Sequence, residues 1–296
     1  MSPQYRRIKV IVNPAAGPNV PILNTLNDVF RQHDIYWEVA VTHRGGDGAR
    51  LARQAASAGF DLVAVYGGDG TVTDVANGLV GGPLPLAILP GGTGNALAWE
   101  LGIPQRLSAA AELICRDDAR LRTLDAGRIN GHYFLLRANV GLQAEVTQRA
   151  SREMKDRFGL LAYAISALTV LSEPERYRQS FYLTLDGREV ESEGVTCLVA
   201  NSGNIGGLNV KLAASIDPAD GLLDVFVLND DLDSMLSMAA SIVALEEFSA
   251  ALEYWQCQEV SIATDKPQPV RVDGEEFGHT PITASLEPEA LRVLVP

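Results

Sequence analysis

The chain has 296 residues, 47% of them hydrophobic and 21% charged, which is enough to bury one large core or two smaller ones. Its formal charge of −13 argues against the basic face that nucleic-acid binding requires, so no nucleic-acid partner is expected. The N-terminal residues form neither a signal peptide nor a membrane anchor, and the three cysteines are widely spaced. A reducing, cytoplasmic location is therefore expected.

The first part of the chain alternates predicted strands and helices. Strands are predicted at residues 9–12, 35–41, 61–66 and 85–89, and helices at residues 24–33, 49–58 and 72–79. This alternation is typical of a parallel, three-layer α/β domain, which we place at residues 1–124. In open sheets of this class, ligands bind at the carboxyl ends of the strands.

A glycine-rich motif, Gly67-Gly68-Asp69-Gly70-Thr71, joins the predicted strand 61–66 to the helix that follows it. Backbone N–H groups converge at such a turn, and glycine lets the backbone approach a phosphate because no Cβ intervenes. Asp69 would repel a bare phosphate, so its presence favours a divalent cation between the two. The alternative is a tight strand-to-helix turn with nothing bound.

The other predicted strand ends decide between these alternatives. Asn13, Thr42 and the turn at residues 91–95 follow three further strands, so four strand ends bring glycines and small polar residues to one edge. This concentration favours a phosphate site over the alternative of four turns that bind no ligand. Gly45-Gly46-Asp47-Gly48 repeats the same letters, but three polar residues separate it from its strand, so it predicts only a helix start.

From about Thr123 the pattern changes to strands joined by short turns. Asn130-Gly131, Asp186-Gly187 and Asp273-Gly274 are typical of type I′ hairpins. Further strands are predicted at residues 122–129, 132–140, 181–185, 189–190, 195–200, 222–228, 258–263 and 269–272. These features predict an antiparallel β-sandwich domain at residues 125–285, and residues 286–296 could return to complete the first domain.

Two long helices are predicted inside this second domain, at residues 149–171 and 234–255. Residues 158–171 are apolar nearly all round, but 14 residues cannot cross a bilayer, so no transmembrane segment is expected. Packing into the core is the favoured explanation for this stretch. The alternative is a helix that lines an apolar substrate cleft or touches a membrane surface.

Two acidic motifs in the second domain could carry chemistry. Asp217, Asp220 and Asp224 lie within eight residues, and carboxylates with main-chain oxygens are the ligands that Mg²⁺ prefers. The alternative is a polar loop. Glu275, beside the Asp273-Gly274 turn, could accept the proton of an attacking hydroxyl, or could be a solvated hairpin charge.

Five motifs occur in a fixed order along the chain, at residues 12–17, 67–71, 89–98, 220–225 and 272–275. In this order they resemble the diacylglycerol kinase catalytic-domain family of bacterial soluble lipid kinases, to which sphingosine and ceramide kinases are similar. The resemblance implies an α/β nucleotide-binding domain and a β-sandwich, with the active site in the cleft between them. It also implies a lipid kinase that transfers the γ-phosphate of ATP to a hydroxyl of a diacylglycerol-like or sphingoid lipid at a membrane surface.

The resemblance implies roles for individual residues. Asp69 would act on the phosphates through Mg²⁺, and Glu275 would be the general base that activates the lipid hydroxyl. A structural Mg²⁺ would be held by Asp220 and by main-chain oxygens near Asp217 and Leu222. The residues implied in ATP binding are Asn13, Thr42, Gly67, Gly68, Asp69, Gly70, Thr71 and Thr93. The protein would then be cytoplasmic and peripherally associated with the membrane.

Some positions depart from the family pattern. Thr73-Asp74 replaces the usual Asn-Glu. Ala96 and Gln143 each stand at a position where an Asp is frequent in the family. Two other functions remain open: a soluble small-molecule kinase similar to NAD kinases, and a nucleotide-binding regulatory protein without turnover. The oligomeric state is also open, a homodimer being one option.

Overall fold

The computed structural model describes residues 5–17, 20–141, 178–206, 212–213, 215–228 and 252–296. The chain divides into two compact units. The N-terminal unit comprises Met1–Ala126 and Pro288–Pro296, and the C-terminal unit comprises Gly127–Glu287. The predicted helix 149–171 and Gln143 lie outside the described residues. Within the described part, no helix is long and apolar enough to cross a membrane.

The N-terminal unit is an α/β domain with a parallel sheet. Its strands are β1 (Arg7–Val12), β2 (Tyr36–Val41), β3 (Leu62–Gly67) and β4 (Leu86–Pro90), joined by the end of β16 (Ile282–Val295). The strand order is β2-β1-β3-β4-β16, with Val293 of β16 opposite Leu86. β3 and β4 are buried along their whole length, as expected for central strands of a parallel sheet. The predicted α/β class is confirmed.

The helices of this unit are α1 (Ile22–Phe30), α2 (Asp47–Ser57), α3 (Asp69–Ala76), α4 (Ala96–Glu100) and α5 (Leu107–Cys115), with a 3-10 turn at Arg31–His33. Helix α2 packs against α3, and α1 packs against α5. The prediction that residues 45–48 begin a helix is confirmed, because α2 starts at Asp47. Oδ2 of Asp47 accepts hydrogen bonds from the amides of His43 (3.0 Å) and Arg44 (3.3 Å). A hydrogen bond from Arg50, helped by those from the two amides, lowers the pKa of Asp47 to about 2.

The C-terminal unit is an antiparallel β-sandwich, as predicted. Its strands are the end of β5 (Arg120–Ile129), β6 (His132–Phe134), β7 (Arg137–Gly141), β8 (Gln179–Leu185), β9 (Arg188–Gly194), β10 (Thr196–Ala200), β11 (Leu223–Leu228), β12 (Leu252–Cys257), β13 (Glu259–Thr264), β14 (Pro269–Val272), β15 (Glu275–His279) and the start of β16. One sheet has the order β12-β11-β10-β7-β14-β15, and β16, β13, β8 and β9 are neighbours in the other. Apolar side chains from both sheets, such as Val140, Phe181, Val225 and Ile262, form one buried core.

The three predicted hairpin turns are confirmed by the backbone. In Asn130-Gly131 the φ angles are +50° and +79°, and in Asp186-Gly187 they are +48° and +85°. Asp273-Gly274 has φ angles of +46° and +88°. A type I′ turn requires positive φ at both central residues, which is why Asn-Gly and Asp-Gly pairs mark it in a sequence.

Two element predictions in this unit are wrong. The helix predicted at residues 234–255 is a strand at its end: residues 252–257 form β12, in which Trp255 lies opposite Val225 and Cys257 opposite Leu223. The rest of that prediction, residues 234–251, lies outside the described residues. The strand predicted at residues 132–140 is divided into β6 and β7, because Asp273 and Asn201 bind the backbone of Leu135 at the break.

Gly127 allows the close pairing of β5 with β6. It lies opposite Phe134, whose side chain is fully buried, and a Cβ at position 127 would overlap the Phe134 ring. We therefore expect Gly127→Ala to lower the free energy of unfolding by about 1–3 kcal/mol, the usual cost of overpacking a core. Gly45→Ala is the control, since no atom lies within 4 Å of its added Cβ, and it should change stability by less than about 0.5 kcal/mol. Equal effects of the two substitutions in urea unfolding would contradict the packing argument.

The lowered pKa of Asp47 predicts a pH-dependent contribution to stability. The carboxylate is stabilised only in the folded chain, so its contribution is present above the unfolded pKa of about 3.9 and is lost as the pH falls towards about 2. Asp47→Asn should therefore be less stable than the wild type at pH 7, and the difference should shrink between pH 4 and pH 2. Denaturant unfolding at several pH values measures this, and a difference independent of pH would refute it.

Candidate nucleotide site

Two glycine-rich turns meet at the carboxyl edge of the N-terminal sheet. We call Gly67–Thr71, after β3, the first glycine loop, and Gly91–Asn95, after β4, the second glycine loop. The amide of Gly91 donates a hydrogen bond to the carbonyl oxygen of Gly67 at 2.9 Å. A Cβ at Gly92 would lie 2.5 Å from the Cα of Gly68. The two backbones are thus in direct contact, which any side chain at position 92 would prevent.

The end of β1 joins the same edge through Asn13. Its amide donates to the carbonyl oxygen of Tyr66 at 2.9 Å, and its Nδ2 donates to the hydroxyl of Thr71 at 2.8 Å. Its Oδ1 accepts a hydrogen bond from the amide of Ala15 at 3.0 Å. Asn13 therefore connects the turn after β1 to the first glycine loop. The structure brings together Asn13 and the residues predicted from the Gly67–Thr71 motif.

Asp69 is the first residue of α3, directly after the N-cap residue Gly68. Its Oδ1 lies 3.4 Å from the amide of Leu97, and a Cβ at Gly94 would lie 2.9 Å from its Oδ2. The carboxylate is half-buried and lies against the second glycine loop. Both glycine loops therefore surround the one acidic side chain that the motif contains.

The second glycine loop is held by Asn95, which the sequence does not single out. Its Oδ1 accepts the amide of Gly92 at 2.9 Å, and its Nδ2 donates to the Gly92 carbonyl at 2.9 Å and to Gln105 at 3.2 Å. Asn95 has a φ of +48°, a conformation that asparagine adopts more readily than most residues. An asparagine at the end of a glycine turn was the available signal for this role.

The two predicted threonines differ in their surroundings. Thr42 is buried at the end of β2, where its amide donates to the carbonyl oxygen of Val12 at 3.0 Å. Its hydroxyl lies 3.5 Å from the same oxygen. Thr93 is exposed on the second glycine loop. Thr42 therefore belongs to the frame of the sheet edge, whereas Thr93 faces solvent.

The acidic hairpin of the C-terminal unit contains two carboxylates with different surroundings. Asp273 accepts hydrogen bonds from the amides of Leu135 (2.9 Å), Leu136 (3.0 Å) and Arg137 (2.9 Å). It thereby fixes the turn to the segment that separates β6 from β7. Glu275 begins β15, opposite Val272, and is exposed. The structure thus gives Asp273 a structural role and presents Glu275 to solvent.

The predicted metal-binding residues form one turn before β11. Oδ1 of Asp217 accepts the amide of Ala219, and Oδ1 of Asp220 accepts the amide of Leu222, both at 3.0 Å. The described residues contain no group of three or more His, Cys, Asp or Glu side chains placed to hold a metal ion. The predicted set is of another kind, because it combines the carboxylate of Asp220 with main-chain oxygens near Asp217 and Leu222.

Asp224, at the second position of β11, is a fully buried carboxylate. Its Oδ1 accepts hydrogen bonds from the hydroxyl of Tyr254 (2.6 Å) and from Gln256 (3.2 Å), but its Oδ2 has no partner among the described residues. Burial raises the pKa of Asp224, and repulsion from Asp220 adds to the shift, while the hydrogen bonds from Tyr254 and Gln256 oppose it. Burial and the hydrogen bond to Asp224 raise the pKa of Tyr254 to about 12. Negative charge is thus concentrated in the segment 217–224.

Two of the departures from the family pattern fall in the N-terminal unit. Ala96 is the buried first residue of α4. Asp74 lies on α3, and its Oδ2 accepts hydrogen bonds from the amides of Gly46 (3.1 Å) and Gly48 (2.8 Å). Asp74 therefore links α3 to the start of α2, a role that the sequence does not predict.

Comparison with known proteins agrees with the division of the chain into an α/β unit and a β-sandwich unit. Residues 7–129 match the family described as "Diacylglycerol kinase catalytic domain", and residues 137–295 match "YegS C-terminal NAD kinase beta sandwich-like domain". "Putative lipid kinase SH2167" of Staphylococcus haemolyticus is 30% identical over 250 residues, which cover 83% of this chain and 80% of that protein. A similarly named protein of Staphylococcus aureus strain N315, SA0681, is 31% identical over 240 residues, covering 79% of this chain and 77% of that protein.

A solved structure described as a diacylglycerol kinase from Bacillus anthracis has a TM-score of 0.80 at 28% identity. The match covers 100% of this chain and 99% of that one, so it includes both units. The chain belongs to the diacylglycerol kinase catalytic-domain family, and is a kinase of that family.

Proposed function

We propose that this protein transfers the γ-phosphate of ATP to a hydroxyl group of a diacylglycerol-like or sphingoid lipid, with Mg²⁺ as the metal ion. The observation that carries the proposal is the contact between Gly68 and Gly92 beside Asp69, at the carboxyl edge of a parallel sheet. A phosphate chain can approach bare backbone there, at the N-terminus of α3. Membership of a kinase family supports the same chemistry.

The N-terminal unit would bind the nucleotide. Asn13, Thr42, Thr93 and the residues of the first glycine loop are the proposed binding residues. Asp69 fits a role with Mg²⁺, because its half-buried carboxylate lies against the second glycine loop and a cation would reduce its repulsion of the phosphates. Phosphoryl transfer requires mainly positioning and neutralisation of charge, which a backbone cradle with one acid and Mg²⁺ supplies.

Glu275 of the C-terminal unit is the proposed general base. It is exposed at the start of β15, so its carboxylate is accessible to an acceptor hydroxyl. The neighbouring Asp273 accepts three backbone amides, which holds the hairpin in one conformation. A rigid strand that presents an accessible carboxylate suits a residue that takes a proton from the lipid hydroxyl.

A second Mg²⁺, with a structural role, is proposed at the turn before β11. Asp220 and main-chain oxygens near Asp217 and Leu222 would hold it, and hard oxygen ligands of this type fit Mg²⁺. The unpartnered Oδ2 of Asp224 supports the proposal, because a cation nearby would offset the charge that this segment concentrates. The bound ion would stabilise the turn.

The proposed substrate class also sets the proposed location. A lipid with long hydrocarbon chains resides in a bilayer, so we propose that the protein works in the cytoplasm and associates peripherally with the membrane. The test is incubation with γ-labelled ATP, Mg²⁺ and a panel of diacylglycerol, ceramide and sphingoid lipids in mixed micelles. A labelled lipid supports the proposal. Labelled NAD without any labelled lipid would replace it with a soluble small-molecule kinase, and ATP binding without a labelled product would indicate a regulatory protein.

Replacing the proposed base should separate turnover from binding. We expect Glu275→Gln to lower kcat by about 100-fold or more, the usual contribution of a general base, with the Kd for ATP unchanged within about twofold. Glu276→Gln is the matched control, since Glu276 is the next residue of β15 and is also exposed. Activity of the Glu275 variant equal to that of the control would refute the assignment of the base.

A further inference from the structure

Asp74 is a carboxylate on α3 that binds the start of another helix. Its Oδ2 accepts hydrogen bonds from the amides of Gly46 (3.1 Å) and Gly48 (2.8 Å), the N-cap and second residues of α2. A Cβ at Gly48 would lie 2.7 Å from this oxygen and 3.0 Å from Cγ2 of Val75. The two helices therefore touch at the point where α2 begins.

The segment that precedes α2 is held by two carboxylates. We call residues 42–46 the β2–α2 loop. Asp47 accepts the amides of His43 and Arg44, and Asp74 accepts those of Gly46 and Gly48. Two negative charges at the N-terminus of α2 offset its helix dipole and would repel a phosphate. The β2–α2 loop is thus unsuited to bind phosphate through its backbone, and what it can contribute to a nucleotide site is its side chains.

Helix α3 connects this loop to the first glycine loop. Asp69 and Thr71 lie in its first turn, and Thr71 accepts the hydrogen bond from Asn13. Asp74 follows five residues after Asp69 on the same helix. One rigid element therefore carries both the glycine loop and the carboxylate that holds the β2–α2 loop, which begins with Thr42.

We propose that Asp74 is a positioning residue for the nucleotide site: it fixes the end of the β2–α2 loop, which begins with Thr42, relative to the first glycine loop. The inference rests on the proposed function, since it assumes that a nucleotide binds at this edge. It predicts that loss of the Asp74 carboxylate weakens nucleotide binding and leaves the phosphoryl transfer step itself nearly unchanged.

A carboxylate at the opposite end of the same sheet is a matched control. Oδ2 of Asp61 accepts hydrogen bonds from the amides of Arg6 (3.0 Å) and Arg7 (2.8 Å). Like Asp74, it connects two segments of the N-terminal unit through one oxygen and two amides. It lies before β3, however, whereas the glycine loops follow β3 and β4. Asp61→Ala should therefore cost stability without affecting nucleotide binding.

The experiment compares the full chain with Asp74→Ala, Asp74→Asn and Asp61→Ala. The Kd for Mg²⁺ and a non-hydrolysable ATP analogue is measured by calorimetry, KM for ATP and kcat by lipid phosphorylation, and Tm by thermal unfolding. We expect Asp74→Ala to raise Kd and KM for ATP about tenfold, with kcat within about twofold, because two charge-assisted hydrogen bonds are lost. Asp74→Asn keeps an oxygen that can accept them, so it should recover most of the affinity.

Each outcome bears on the inference. If Asp74→Ala and Asp61→Ala lower Tm alike and both leave the Kd unchanged, Asp74 has only a structural role and the inference is wrong. If Asp74→Ala does not fold, Asp74→Ser replaces it, because serine is too short to reach both amides, and the same rise in Kd is expected. If the wild type binds the analogue but phosphorylates no lipid, the proposed function fails, whereas the Kd values still decide the role of Asp74. If the wild type binds no nucleotide, both are wrong.

Discussion

The contact between the two glycine loops is the constraint on which the N-terminal unit depends. Gly92 can lie against Gly68 only because residue 92 has no side chain, and the hydrogen bond from Gly91 to Gly67 holds the two loops together. Asp69 then lies between the loops without displacing either. The parallel sheet makes this contact possible, because it brings the ends of β3 and β4 to the same edge.

Both units use the same kind of interaction to hold their turns, an aspartate that accepts several backbone amides. Asp273 accepts three, and Asp47, Asp61, Asp74 and Asp186 each accept two. A carboxylate is well suited to this, since it offers two oxygens and charge-assisted hydrogen bonds. These five aspartates of a strongly acidic chain therefore have structural roles. Asp69 and Glu275 are the two acids that the proposed reaction uses.

Local features of this fold could be predicted from the sequence, and non-local ones could not. The hairpin turns were predictable because Asn-Gly and Asp-Gly adopt positive φ by themselves. The division of residues 132–140 into β6 and β7 was not, since it depends on Asp273, more than 130 residues away. The helix prediction at residues 234–255 was wrong at its C-terminal end for a similar reason: Trp255 lies in β12, where it pairs with β11 and packs on the sandwich core. Within the candidate site, the glycine motifs were visible, whereas the roles of Asn95 and Asp74 required their distant partners.

The two Gly-Gly-Asp-Gly sequences show why position decides function here. Both begin a helix, α2 in one case and α3 in the other. At α2, Asp74 accepts the amides of Gly46 and Gly48, and Asp47 accepts those of His43 and Arg44 in the preceding loop, so two carboxylates lie at this N-terminus. At α3 the opposing element is the second glycine loop, and the carboxylate at this N-terminus is Asp69 itself. The same four residues thus begin helices with different neighbours, and the proposed function places phosphate only at the second, where Mg²⁺ would offset the charge of Asp69.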